Sequence, residues 1–236
     1  MNQGNPLSGR TRIKICGLTR EQDVDAAVSA GADAVGFVLY RKSARFVSPQ
    51  RAAELARRLP PFVSPVLLFV NEAAATVQAA CELVPGATLQ FHGDETPAHC
   101  LQASAGGKRP YMRAARIPLD AATPFDLIEF AAHYPQAQAI LLDAHVEGYG
   151  GGGKAFDWSR LPPSVNCHLV LSGGLTRANV TDGILQVRPR CKTLAVDVSS
   201  GVEECAEGGG TRKGIKDPEK IHQFVAAVRA ADKLLA

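Results

Sequence analysis

Several marks of large protein classes are missing from this chain. No apolar run approaches the roughly 18 residues of a membrane span, so no transmembrane segment is expected. The six cysteines (Cys16, Cys81, Cys100, Cys167, Cys191, Cys205) form no C-x-x-C pair and follow no regular spacing, which speaks against both a zinc site and a disulfide framework. A reducing cytoplasm is the expected setting. The six histidines lack a ligand cluster such as H-E-x-x-H, so the pattern proposes no metal chemistry. Residues Met1 to Arg10 have neither the charged nor the apolar region of a secretory signal and read as a loose polar tail. The net charge of +3 is not gathered into a basic block. That argues against nucleic acid and only mildly for a small anionic ligand.

What is present is an alternation. Segments rich in Val, Ile and Leu alternate with Ala-rich stretches of helical period from Ile13 to the C-terminus. Strands are expected to end near Cys16, Leu39, Val70, His92, Ala114, Asp143, Ser172 and Val198. Helices are expected over 22–29, 49–59, 73–83, 97–104, 124–134, 156–161, 178–186 and 218–235. Pro49, Pro124 and Pro218 each follow a capping residue (Ser48, Thr123, Asp217), a pattern that starts helices. About eight βα units without a Pro- or Ser-rich linker predict a single-domain (β/α)₈ TIM barrel over residues 12–236, preceded by a flexible tail over 1–11. The chain's 236 residues suit that fold. A doubly wound open sheet is the competing architecture, but it usually carries G-x-G-x-x-G after its first strand, where this chain has K-I-C-G-L-T.

Alternate residues of a barrel strand face the interior. Lys14 and Cys16 then share one face of the first strand, Thr88, Gln90 and His92 one face of the fourth, and Ala195, Asp197 and Ser199 one face of the eighth. Their apolar neighbours suit the surrounding helices. A charged or amide side chain inside a barrel costs several kcal/mol unless it is paired or partly solvated. Lys14, Gln90 and His92 are therefore either ligand contacts or members of a satisfied interior network.

Two segments, L-S-G-G-L-T (Leu171 to Thr176) and V-D-V-S-S-G (Val196 to Gly201), run from strand into small residues where a helix could begin. Adjacent turns of this kind late in a barrel hold a phosphate. Two residues suit proton transfer. Cys16 closes the first strand beside Gly17, where Lys14 could lower its pKa and supply thiolate. Asp143 closes L-L-D on the sixth strand, where a dry pocket could hold it partly protonated as a general acid. The plainer alternatives are core filler for Cys16 and a loop cap for Asp143. Arg41, Lys42 and Arg45 form a basic loop that either clamps a planar carboxylate or lies in solvent.

K-I-C-G-L-T (Lys14 to Thr19), G-F-V-L-Y…S-A-R-F-V-S (Gly36 to Ser48), Q-F-H-G (Gln90 to Gly93), L-L-D (Leu141 to Asp143), G-G-G-G-K-A-F-D-W (Gly150 to Trp158), the two glycine-rich turns, V-E through Glu203, and K-D-P-E-K-I (Lys216 to Ile221) together resemble the phosphoribosylanthranilate isomerase family, in order and from about Arg12 to the C-terminus. The resemblance implies an Amadori rearrangement of N-(5-phosphoribosyl)anthranilate in tryptophan biosynthesis, without cofactor or metal. It places the general base on Cys16, the general acid on Asp143 and the anthranilate carboxylate on Arg45. Lys14, Gln90, His92 and Asp197 become substrate-binding candidates, and Gly173, Gly174, Ser199, Ser200 and Gly201 the phosphate cradle. Monomer and homodimer both remain open.

The chain departs from the family pattern at several positions. Gly152 replaces the usual Thr or Ser of the sixth loop, Arg177 the proline after L-S-G-G-L-T, and Ala195 a glycine, while Glu204 to Gly214 is longer than usual. Arg177 is expected to place a cation near the phosphate, and Arg212 and Lys213 to sit in solvent. A dual-substrate isomerase that also serves histidine biosynthesis typically uses an aspartate at the position of Cys16, which speaks against that alternative. A non-catalytic phosphate-binding barrel is the alternative from another class, opposed by the retention of both proton-transfer residues.

Overall fold

The computed structural model describes residues 9–120, 122–145 and 155–235. Its strands are β1 (Arg12–Cys16), β2 (Ala34–Val38), β3 (Ser64–Phe69), β4 (Thr88–Phe91), β5 (Tyr111–Pro118), β6 (Ala139–His145), β7 (Val165–Leu171) and β8 (Cys191–Val198). They pair in chain order and close into a barrel, with Lys14 opposite Asp197 where β1 meets β8. The open-sheet alternative is thereby excluded. Around it lie α1 (Glu21–Ala30), α2 (Pro49–Ala56), α3 (Ala74–Leu83), α4 (Pro97–Ala103), α5 (Leu127–His133), α6 (Val180–Val187) and α7 (Pro218–Leu234).

Helix starts follow their caps. Ser48 Oγ accepts from the Arg51 N–H at 3.1 Å, and Asp217 Oδ1 from Glu219 and Lys220 N–H at 2.9 and 3.2 Å, each just before a proline in the first turn. The start expected at Pro124 is wrong. Thr123 turns its hydroxyl to Asp120, and Asp126 instead caps α5 through the N–H groups of Ile128 and Glu129. The helix expected over 156–161 shrinks to one 3₁₀ turn, Trp158–Arg160, because Pro162 and Pro163 follow at once. Strand β5 runs beyond Ala114 because its pairing with β6 continues to Pro118 and His145. The long segment after β8 is not a loop alone: β9 (Glu203–Cys205) and β10 (Thr211–Lys216) form an antiparallel hairpin.

The main core lies between barrel and helices. It contains Ile13, Ile15, Leu89, Phe91, Leu194, Val196 and Val198, the apolar faces expected of β1, β4 and β8. Inside the barrel are two smaller clusters. Cys16, Val38, Leu68 and Val70 pack toward the C-terminal ends of the strands, and Ala114, Leu141 and Val170 pack deeper, against Met112, Ala139 and Ala195. The polar side chains Lys14, Gln90, His92, Asp143 and Asp197 are buried as well.

The opposite end of the barrel is closed by ion pairs. Of the expected tail, residues up to 8 lie outside those described, while Thr11 is buried and donates its N–H to Asp232 Oδ2 at 3.0 Å. Asp232 of α7 also receives Arg188 Nη2 at 2.7 Å, and Arg229 Nη1 bonds Thr11 O at 2.7 Å. Removing Asp232 leaves the Arg188 guanidinium buried without its counter-ion. Asp232→Ala should therefore destabilise the fold by about 2–4 kcal/mol, read as a lower urea midpoint at unchanged slope.

Candidate active site

The C-terminal end of β1 presents Lys14 and Cys16 to the interior, both almost fully buried. Lys14 Nζ donates to Asp197 Oδ1 at 2.8 Å, and Ser172 Oγ lies 3.4 Å from Asp197 Oδ2, so the carboxylate joins β1, β7 and β8. Gly36 of β2 sits against both β1 side chains. A Cβ there would lie 2.8 Å from Cys16 Sγ and 3.0 Å from Lys14 Nζ, which puts thiol and ammonium side by side over one small gap. Burial works against the charge of Lys14, but Asp197 and Cys16 outweigh it and raise the ammonium to about 12. The thiol does not follow the expectation of a lowered pKa. Burial pushes Cys16 above the ordinary thiol value, and Lys14 offsets that only in part because Asp197 opposes it.

Gln90, His92 and Asp143 form a buried chain across β4 and β6. Gln90 Nε2 lies 2.8 Å from His92 Nδ1, and His92 Nε2 lies 2.8 Å from Asp143 Oδ2. With the amide donating to Nδ1, the neutral imidazole carries its proton on Nε2 and presents it to the carboxylate. Both ring nitrogens of His92 are thus occupied by protein groups, and its Nε2 edge faces Asp143. Asp143 Oδ1 accepts the Ala144 N–H at 2.9 Å. Gln90 Oε1 is buried with no partner among the described residues.

Asp143 adjoins the first glycine-rich turn. A Cβ on Gly173 would lie 2.8 Å from Asp143 Oδ1 and 2.7 Å from the Ala144 nitrogen, and Gly173 has φ 78°. Only glycine combines that conformation with that approach. Gly174 follows in the same region, and Asn179 pins the turn by accepting the Thr176 N–H at 2.8 Å and donating to Gly174 O at 3.0 Å. The second turn carries Ser199, Ser200 and Gly201. Gly201 packs directly on the Leu175 carbonyl, so the two turns touch. Gly152 and residues 146–154 of the sixth loop lie outside the described residues.

The basic loop divides. Arg41 and Lys42 are exposed, whereas Arg45 is buried and its Nε and Nη2 donate to Glu203 Oε1 and Oε2 at 2.7 and 2.8 Å. Lys216, fully buried, donates to Ser199 O at 2.9 Å and to Glu203 Oε1 at 3.2 Å. Arg177, which follows the first glycine-rich turn, donates to Gln223 of α7 at 2.7 Å. Arg212 is exposed and pairs with Glu204, and Lys213 is exposed, as expected. Among the described residues no group of three or more His, Cys, Asp or Glu side chains could hold a metal ion.

The family model described as N-(5'-phosphoribosyl)anthranilate (PRA) isomerase matches residues 13–227. The chain belongs to this isomerase family. A curated relative of that name from Methylibium petroleiphilum is 62% identical over 228 residues, spanning 96% of this chain and 98% of the relative. The phosphoribosyl anthranilate isomerase structure from Thermotoga maritima superposes with TM-score 0.75 at 37% identity, covering 93% of this chain and 99% of that one. Another solved phosphoribosyl anthranilate isomerase, in complex with reduced 1-(o-carboxyphenylamino)-1-deoxyribulose 5-phosphate, superposes with TM-score 0.73 at 35% identity over the same shares of the two chains.

As a phosphoribosylanthranilate isomerase of tryptophan biosynthesis, the chain converts N-(5-phosphoribosyl)anthranilate to 1-(2-carboxyphenylamino)-1-deoxyribulose 5-phosphate, an intramolecular aldose-ketose conversion. The residues that sequence reasoning passed over are Gly36, Ser172, Asn179 and the pair Glu203 and Lys216. All but Asn179 stand in motifs that carry the family resemblance, which was the signal that could have found them, whereas the burial of the Glu203 and Lys216 charges is visible only in the folded chain. Gly36 gives the sharpest check on the isomerase site. Gly36→Ala should displace Cys16 Sγ and Lys14 Nζ together and lower kcat by about 100-fold, with a native circular dichroism spectrum; an unchanged kcat would show that the gap is not needed.

Proposed function

We propose that the isomerase reaction proceeds by general acid-base catalysis with Asp143 as acid and Cys16 as base. The observation that carries this reading is the contact of Asp143 with the Gly173 turn. If that turn and the Ser199–Gly201 turn hold the 5-phosphate, the ribose ring is held beside Asp143 on one side and reaches toward the thiol on β1. In this reading Asp143 enters the reaction as the carboxylic acid and gives its proton to the ring oxygen as the C1–O bond breaks. It is left as the carboxylate that accepts from His92 and Ala144, while the anilino nitrogen lone pair forms the C1=N bond of a Schiff base. The Cys16 thiolate takes the proton from C2. The C2–H electron pair becomes a C1=C2 bond and the C=N pair returns to nitrogen, giving an enolamine. As the C2=O bond forms, the enol O–H proton passes to the Asp143 carboxylate, and the Cys16 thiol returns its proton to C1 as the C1=C2 pair becomes the C1–H bond, which restores both groups.

The electrostatics suit such a base. Burial makes the thiolate scarce but strongly basic, and the Lys14 ammonium beside it favours the ion when it forms. Arg45 binds the anthranilate carboxylate, and Lys14 and Asp197 border the reacting carbons as a neutral pair. Gln90 orients His92, which holds Asp143. The working unit is the barrel domain from residue 12 onward, in the cytoplasm, as a monomer or homodimer with phosphoribosylanthranilate as its partner and neither nucleic acid nor membrane engaged. No helix among the described residues is long and apolar enough to cross a membrane.

Two measurements check the roles. Cys16→Ala and Asp143→Asn should each lower kcat/KM by about 100-fold or more in a fluorescence assay of phosphoribosylanthranilate consumption, and wild-type turnover in both would refute the assignment. Because the base acts deprotonated and its pKa is raised, kcat/KM of the wild type should climb as pH increases toward the alkaline range. The rate of Cys16 alkylation should climb with the same apparent pKa; a flat profile in both would remove Cys16 as the base.

A further inference from the structure

Arg45 reaches the site with one of its two donor edges already used. Its aliphatic stem lies on Gly17, the residue after Cys16, where a Cβ would lie 2.5 Å from Arg45 Cδ and 3.1 Å from Ser199 Oγ. Glu203 takes the Nε and Nη2 edge side-on through both carboxylate oxygens. Among the described residues no protein group accepts from Nη1, and the side chain keeps 10% of its surface exposed. The end-on fork of Nη1 and Nη2 is therefore left for a ligand, and a fork of that shape matches a planar carboxylate.

Glu203 is itself over-determined. Its side chain is fully buried; Oε1 accepts the Gly214 N–H at 2.8 Å and Lys216 Nζ at 3.2 Å, and Thr211 Oγ1 lies 3.3 Å from Oε2. Burial opposes its ionisation, but Arg45, Lys216 and the Gly214 N–H outweigh that and hold the carboxyl below its ordinary value. Burial draws Lys216 down to about 8, which leaves it mostly protonated at neutral pH. Two cations share one buried anion, so the cluster retains a positive charge for an anionic ligand. Lys216 also holds the Ser199 carbonyl and hydroxyl, which ties the same carboxylate to the second glycine-rich turn.

We propose that Glu203 is a positioning residue for substrate recognition: by clamping the Nε and Nη2 edge of Arg45 it presents the Nη1 and Nη2 edge to the anthranilate carboxylate. The β9–β10 hairpin, which supplies Glu203, Thr211, Gly214 and Lys216, is then part of the specificity apparatus. This rests on the assignment of Arg45 to that carboxylate.

The test compares two ligands, the reduced product analogue that bears the carboxylate and its phenylamino counterpart without it, titrated by calorimetry into intact protein. Glu203→Gln keeps an oxygen for Gly214, Lys216 and Arg45 Nε, and replaces the oxygen that meets Nη2 and Thr211 Oγ1 with a neutral amide nitrogen, which removes the shared charge. It should weaken the carboxylate-bearing analogue about tenfold or more and leave the phenylamino analogue within about twofold. Arg45→Gln should show the same selective loss, and the double variant should be no worse than Arg45→Gln alone. If Arg45→Gln is selective while Glu203→Gln weakens both ligands equally or neither, the positioning role is overturned. If Arg45→Gln itself spares the carboxylate-bearing analogue, the assignment of Arg45 fails and the proposal with it. Should Glu203→Gln not fold, Glu203→Asp, which keeps the charge but draws the carboxylate back by one methylene from both guanidinium nitrogens, is expected to give the same selective loss. Wild-type affinities for both ligands in that variant would overturn the proposal.

Discussion

The ion pair of Lys14 with Asp197 lies at the seam where the last strand meets the first, and the chemistry around it depends on its being satisfied. Two unpaired charges at that depth would each cost several kcal/mol, whereas paired at 2.8 Å they are held between strands whose register sets them opposite one another. The pair keeps an ammonium beside the Cys16 thiol without leaving a bare cation in the barrel. Asp197 also meets Ser172 at the root of the first glycine-rich turn. One carboxylate thus links β1 to the root of the first glycine-rich turn.

A second chain of contacts approaches from the far side of the barrel. Gln90, His92 and Asp143 pass from β4 to β6 in consecutive hydrogen bonds, and Asp143 closes against Gly173. The third approach comes from outside the barrel, where the hairpin after β8 reaches back over the β1 and β2 ends with Glu203 and Lys216. The three converge at the C-terminal ends of the strands. A barrel places chemistry there because that is where eight chain segments leave the packed core and can vary without disturbing it. The opposite end is spent on closure, with Asp232 gathering Thr11, Arg188 and Arg229.

The electrostatic outcome at Cys16 shows how burial and charge compete. Proximity of Lys14 alone argues for a lowered thiol pKa, and that proximity is real. Desolvation is the larger effect, because a thiolate loses its hydration among Val38, Leu68 and Val70. Ionisation of Cys16 is therefore disfavoured despite the ammonium beside it.

The barrel, the eight strand positions and the inward faces of β1, β4 and β8 were legible in the sequence, because period-2 alternation and capping residues are local signals set by neighbours in the chain. The place of Cys16 at the end of β1 and of the two glycine-rich turns after β7 and β8 was legible for the same reason, whereas Asp143 lies within β6, whose pairing with β5 carries it on to His145. Where local signals compete the reading failed, as at Pro124, whose cap lost to Asp126, and over 156–161, which two prolines cut short. What only the tertiary structure decided are contacts between residues far apart in sequence: Arg45 with Glu203, Lys216 with Ser199, Gly36 under Cys16 and Lys14, and the direction of the thiol's pKa shift. Side-chain type and spacing determine which face a residue occupies, but depth from solvent and the identity of the opposing group are set only when the barrel closes and brings separate strands to within hydrogen-bonding distance.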